Sequence, residues 1–183
     1  MTCIVGLVAD ETVYIGSDSL GTDENGKTLI STYGKIIRIG DFLIGKAGSI
    51  RMGQILQYSF KPPEYNSDEY DPRKDTISCY MATLFVEEMK ACFEKYALKD
   101  DDRGVILVGF KGRLFYISAH NYQIEEDVCG YNAIGCATDI ALGSLYTTEG
   151  VADWLPGSRV KMALEASEKH NAHVRGPFII EEV

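Results

Sequence analysis

Residues 2–9, "TCIVGLVA", are apolar at odd and even positions alike, the pattern of a strand covered on both faces. The polar pair Asp10-Glu11 separates this run from "TVYIGSDS" (12–19), so the two read as a hairpin. A strand apolar on both faces belongs in the middle of a sheet, with a layer of structure above and below it. The rest of the chain must supply those layers.

It has the elements to do so. "KIIRI" (35–39) and "FLIGKAG" (42–48) form a second hairpin across Gly40-Asp41, a Gly-first pair suited to a type II′ turn. A helix is expected over 49–59. Residues 61–74, "KPPEYNSDEYDPRK", combine prolines and acids without an apolar period and read as a surface loop. Asp75 or Thr76 caps the next helix, where Ile77, Met81, Leu84, Phe85, Met89, Cys92, Phe93 and Tyr96 recur at steps of three and four as far as residue 97. "GVILVGF" and "RLFYISA" flank the Lys111-Gly112 turn, and "YQIEE" and "YNAIG" add short strands. "CATDIALGSLYTTEG" reads as a helix ended by Gly150, Ser158 to His170 as another, and "GPFIIEEV" as a last strand.

The order is strands, two helices, strands, two helices, one strand, and no period of 20 to 50 residues marks a repeat. Hairpin-linked strands with segregated helix pairs predict an α+β, four-layer αββα sandwich: two antiparallel sheets face to face, flanked by helix pairs. A chain of 183 residues, 45% hydrophobic and 25% charged, is expected to form this as a single domain over 1–183.

Charge and cysteine usage narrow the function. A net charge of −9 without a clustered Lys/Arg run argues against a nucleic-acid partner. Cys3, Cys79, Cys92, Cys129 and Cys136 are odd in number and show no CxxC spacing, so reduced thiols are expected rather than metal ligands. Neither a signal peptide nor a membrane-length apolar run is expected, which predicts a cytoplasmic protein.

Pairing arithmetic brings certain residues together. With Asp10-Glu11 as a two-residue loop, paired positions sum to 21, and Thr2 lies opposite Ser19, one step from Asp18. In the second hairpin positions sum to 81, so Gly34 lies opposite Ala47 and Lys35 close to Gly48. Thr2 follows a methionine whose removal a small second residue generally permits. That removal leaves an α-amine of ordinary pKa about 7.7–8.0 on a residue bearing a hydroxyl. A hydroxyl with its own base attached is a compact nucleophile. A neighbouring ammonium keeps the amine neutral, and a carboxylate keeps that ammonium charged and in place. Lys35 and Asp18 are of the required types.

Thr2 with "TCIVGLVA", the "GSDSLGT" segment, "KIIRI", "KAGS" and "YNAIGCA", in this order and spacing, resemble the proteasome β-subunit and HslV peptidase family of N-terminal nucleophile hydrolases. The resemblance covers nearly the whole chain and implies the αββα fold. It also implies Thr2 as nucleophile and base, Asp18 and Lys35 as the supporting pair, and the Gly48 main-chain N–H as an oxyanion donor. Thr22 falls where backbone groups pair with an extended substrate. Taken singly these residues have ordinary readings: a frayed terminus, a loop acid, a solvated strand lysine, a strand-to-helix turn, a strand end. Their joint spacing favours the functional one.

The chain also departs from the family. Cys136 stands where a serine is usual near the nucleophile, and a thiol is a weaker hydrogen-bond donor. Asn171 stands where an acid is usual, without an obvious serine partner; His170 and His173 beside it read as surface or capping residues. The loop 61–74 is unlike that of close relatives. The resemblance implies a threonine endopeptidase without cofactor or metal, acting on peptide or unfolded polypeptide. It further implies homo-oligomeric stacked rings fed by an ATP-dependent unfoldase. Two other readings share the fold: a catalytically inactive or unprocessed ring subunit, and a hydrolase of small amides.

Overall fold

The computed structural model describes residues 1–22, 27–30, 34–71, 73–151 and 154–183. Its first half runs β1 (Cys3–Ala9), β2 (Thr12–Ser17), β3 (Leu20–Thr22), β4 (Thr28–Ile30), β5 (Ile36–Ile39), β6 (Phe42–Ala47) and α1 (Ile50–Tyr58). Then come α2 (Thr76–Tyr80), a π-helical turn (Met81–Phe85) and α3 (Val86–Lys95), which form one rod. The second half adds β7 (Val105–Phe110), β8 (Arg113–Ser118), β9 (Ile124–Glu126), β10 (Tyr131–Gly135), α4 (Thr138–Thr147), α5 (Pro156–His170) and β11 (Ile179–Glu182).

β1 lies inside a four-stranded sheet of order β10-β1-β2-β11, and the second sheet has the order β5-β6-β7-β8-β9, every pairing antiparallel. Ile4, Val13, Ile15, Leu43, Leu107 and Leu114 fill the space between the sheets. Cys3, Val5 and Leu7, on the other face of β1, pack with Ala141, Leu145, Val160, Ala163 and Leu164 of α4 and α5. The outer face of the second sheet packs Ile44, Ile106, Val108 and Phe110 against Met52, Ile55, Phe85, Met89 and Phe93. Helices, sheet, sheet, helices: this is the expected four-layer sandwich, and β1 is apolar on both faces because each meets a different core.

Both hairpin registers follow the arithmetic, with Ala9 opposite Thr12 and Ile39 opposite Phe42. At the second turn Gly40 alone takes a positive φ, +56°, as the first position of a type II′ turn requires.

Several bounds differ from expectation. The 76–97 helix ends at Lys95 and widens over Met81–Phe85, where the Thr83 hydroxyl donates to the Cys79 carbonyl at 2.6 Å and competes with the helical ladder. α4 ends at Thr147, three residues before Gly150, and α5 starts on Pro156 at its first turn, before Ser158. Among its described residues the loop 61–74 contains one 3₁₀ turn, Ser67–Glu69; its Pro72 lies outside them. The β3–β4 hairpin, pairing Leu20 with Ile30 and Thr22 with Thr28, has no counterpart in the sequence reading. No helix among the described residues is long and apolar enough to cross a membrane.

Candidate active site

The ladder between β1 and β2 stops at Ile4–Ser17, and Asp18 takes over from it. Its main-chain N–H donates to the Cys3 carbonyl at 3.2 Å, and its Oδ1 accepts from the Cys3 N–H at 2.8 Å. Oδ2 accepts from the Leu20 N–H at 3.1 Å, the two-residue reach that lets aspartate turn a chain by itself. An acid therefore ends this strand because its carboxylate satisfies the backbone on both sides of the bend. The carboxylate is out of solvent and needs a cation.

Lys35, just before β5, supplies one. Its Nζ lies 2.7 Å from Asp18 Oδ1 and also donates to the Leu20 carbonyl at 2.8 Å and the Met1 carbonyl at 3.3 Å. An ammonium has three N–H groups, and all three are engaged. The Met1 carbonyl belongs to the peptide group directly preceding Thr2. Asp18, Lys35 and Thr2, chosen from sequence spacing, are thus gathered at one end of the sandwich.

Thr2 lines a cleft of about 510 Å³ with Met1, Ala47, Gly48, Arg103, Gly104, His120, Gly135 and Cys136. Its carbonyl accepts from the Cys136 N–H at 2.8 Å. Gly135 holds φ +104°, and a Cβ there would stand 1.9 Å from that same carbonyl oxygen, so only glycine brings β10 this close. Asn171 donates from Nδ2 to the Cys136 carbonyl at 2.8 Å and accepts from the His173 N–H at 2.9 Å. Asn171 therefore acts on Thr2 only through the backbone of Cys136. His170 is exposed in the last turn of α5, and His173 enters only by its main chain.

Gly48 is exposed in the cleft between β6 and α1, beside the Ser49 side chain that accepts from the Met52 N–H at 3.0 Å and caps the helix. The positive end of α1 thus faces the cleft. Thr22 ends β3; its hydroxyl oxygen is buried and has no hydrogen-bond partner among the described residues. The Cys3 thiol, behind Thr2, is pushed up to about 11 chiefly by burial, which makes it an inert core thiol. All five cysteines are free.

The sequence reading missed Arg103, Gly104, His120 and Gly135. The first three carry a readable signal: the Lys111-Gly112 turn pairs Phe110 with Arg113, and the same register sets Gly104 opposite Ala119 and Arg103 opposite His120. The pairing of Ala47 with Val105, which sets Gly48 opposite Gly104, joins distant segments and leaves no local signal.

No protein-family model and no curated protein matches the chain. Solved structures do, along its whole length. Thiobacillus denitrificans BPH in complex with Epoxomicin superposes with TM-score 0.77 at 20% identity, covering 99% of this chain and 97% of that chain. Eukaryotic HslV from Trypanosoma brucei gives 0.73 at 14% identity, covering 98% of each. Anbu, an ancestral beta-subunit, from Yersinia bercovieri gives 0.68 at 17% identity, covering 98% of this chain and 80% of that one. At these identities the likeness is one of fold. The chain has the αββα fold of HslV, as the sequence resemblance implied.

Proposed function

We propose that the chain is a threonine peptidase subunit of a self-compartmentalising ring, with Thr2 as its nucleophile once Met1 is removed. The observation that carries this reading is the buried Lys35 ammonium, held on Asp18 at 2.7 Å and reaching the Met1 carbonyl at 3.3 Å. Removing Met1 deletes that acceptor and frees one N–H of Lys35 beside the new Thr2 amine. The ammonium then disfavours protonation of the amine, which takes the proton of the Thr2 hydroxyl as the oxygen attacks a substrate carbonyl. Negative charge on that carbonyl develops at Gly48, where a main-chain N–H and the positive end of α1 stabilise it. The amine passes its proton to the leaving nitrogen, and water then hydrolyses the Thr2 ester. Thr22 guides an extended peptide past the cleft, and Cys136 and Asn171 hold the backbone of Thr2 in register. Substrate polypeptide reaches the enclosed sites in the cytoplasm through an ATP-dependent unfoldase.

A second reading rests on the same contact. With Met1 retained, the nitrogen of Thr2 is an amide, Lys35 has no N–H to spare, and the chain is a silent ring subunit. Intact mass and turnover distinguish the two. Active material is expected to lack one methionine, to cleave fluorogenic peptides and to be labelled by epoxomicin at Thr2. Robust cleavage by protein whose mass retains Met1 would remove the mechanism. A panel of small amides run beside the peptides tests the remaining alternative, a small-amide hydrolase.

A further inference from the structure

Regular strand geometry would keep the thiols of Cys3 and Cys136 apart. Cys3 pairs with Gly135, which makes Cys136 its diagonal neighbour, and consecutive side chains on a strand point to opposite faces. Gly135 breaks that alternation. Its φ of +104° turns the chain as β10 ends, and Cys136 joins Cys3 in the apolar core under α4 and α5. The Cys136 N–H still reaches the Thr2 carbonyl at 2.8 Å, so the two cysteines flank Thr2 from both strands. Ladder partners about 5 Å apart and a rise of about 3.4 Å put diagonal Cα atoms about 6 Å apart. A disulfide spans about 4.4–6.8 Å between Cα atoms.

The two thiols differ in access. Cys136 is partly exposed and lines the Thr2 cleft, whereas Cys3 is wholly buried behind it. Burial first, then the nearby Asp18 and Cys136, push the Cys3 thiol up to about 11, against the Ser167 hydroxyl that hydrogen-bonds to it. Inert toward reagents in solution, Cys3 meets only what the fold sets beside it. The other three cysteines lie elsewhere: Cys79 on α2, Cys92 in the opposite helix layer, Cys129 exposed in the turn before β10.

We infer that Cys3 and Cys136 form a peroxide-sensitive switch on the Thr2 site. Its effect on turnover rests on the peptidase reading. Hydrogen peroxide enters the cleft, and the Cys136 sulfur takes one of its oxygens, giving a sulfenic acid and water. The Cys3 sulfur then attacks the Cys136 sulfur. An S–S bond forms, the S–O bond breaks, and the oxygen leaves with the Cys3 proton as a second water. The two thiols lose two electrons and one peroxide becomes two waters. Enforced proximity offsets the sluggishness of a protonated Cys3. The new bond draws β1 and β10 together at Thr2, which is joined to Cys3 by its peptide bond and to Cys136 by a hydrogen bond. A nucleophile displaced by about 1 Å loses on the order of 100-fold in rate. A small thiol reverses the change by exchange.

The test exposes Met1-free protein to graded hydrogen peroxide, blocks remaining thiols with N-ethylmaleimide and maps the cysteines by peptide mass. Wild type is expected to show a Cys3–Cys136 cross-link and to lose about 10- to 100-fold in turnover, both restored by dithiothreitol. Each variant is read against its own untreated turnover. Cys136→Ser should form no cross-link and keep most of its turnover at doses that silence wild type. Cys3→Ala should stop at the sulfenic acid, which dimedone traps. Oxidised wild type without the cross-link, cross-linked protein of unchanged turnover, or equal silencing of wild type and Cys136→Ser would overturn the switch. Should untreated protein cleave no peptide, the peptidase reading fails separately and the cross-link decides by itself. Its formation by peroxide and reversal by dithiothreitol supports the thiol pair, and its absence refutes it.

Discussion

Keeping Asp18 and Lys35 out of water carries a desolvation penalty that their 2.7 Å contact offsets only because both carboxylate oxygens and the other two ammonium N–H groups are also hydrogen-bonded. Breaking such a pair by removing one partner costs about 3–5 kcal/mol, since the other is left charged and buried. Lys35→Ala should therefore lose both turnover and stability, with turnover falling at least about 10²–10⁴-fold if the Thr2 amine stays protonated without its neighbour. The double replacement Lys35→Met with Asp18→Leu separates the two effects. It should recover much of the lost Tm, because no charge is stranded, and recover no activity. A double mutant that regains turnover would show the pair to be structural alone. Thr2→Ala should be inert with a near-wild-type melt, since its side chain lines a cleft and fills no core.

At the scale of elements, what could be read in the sequence was whatever a local turn determines. The two-residue loops Asp10-Glu11 and Gly40-Asp41 fix the registers that bring Asp18 and Lys35 toward Thr2, and these hold in the structure. The pairing of β6 with β7, which closes the cleft at Gly104, depends on packing between distant segments and was not readable. Nor was β3–β4: its strands are three residues long, and β4 is exposed throughout, so no apolar alternation marks it. The approach of β10 to Thr2 is the element contact with least tolerance. Gly135→Ala must both relax φ +104° and move a carbonyl from 1.9 Å, so it should open the β1–β10 pairing at Thr2, lower Tm by several degrees and abolish turnover.

A second element contact responds to pH. Arg113 on β8 donates to both carboxylate oxygens of Asp75, the cap of α2, at 2.7 Å and pairs with Glu126 on β9. The Arg113 guanidinium, then the Ser78 N–H, holds the Asp75 carboxyl well below the usual aspartate range. A carboxylate depressed in the folded state adds stability that is complete above its unfolded pKa of about 3.9 and is lost as pH falls toward the folded value. Asp75→Asn keeps a capping oxygen and removes the charge. Its Tm should lie below wild type at pH 7, and the two should converge in strong acid. Parallel melting curves at any pH would refute this.

For the whole molecule, the question is what covers its exposed apolar side chains. Val128, before β10, is fully exposed, whereas Tyr146 near the end of α4 and Leu155 at the start of α5 are each 71% exposed. Val128 lines a pocket with Gly112, Arg113 and Glu126, whereas Tyr146 and Leu155 are not among the residues lining it. Two different patches on one chain suit a head-to-tail contact, and such contacts build rings when the rotation closes. Stacked rings would also restrict the Thr2 cleft to unfolded chains. The net charge of −9 per subunit opposes association, so salt should strengthen it by screening that repulsion. Light scattering at micromolar concentration should give a particle many times the 20.3 kDa of one chain, larger or more stable as salt rises. Leu155→Glu and Val128→Glu, placed in the two partner surfaces, should each shift the particle toward smaller species. Because neither residue touches the Asp18–Lys35 pair, the dissociated subunits should keep their melting transition while losing turnover with the ring. A monomer with full peptidase activity at every salt concentration would overturn the assembly and leave the Thr2 chemistry standing alone.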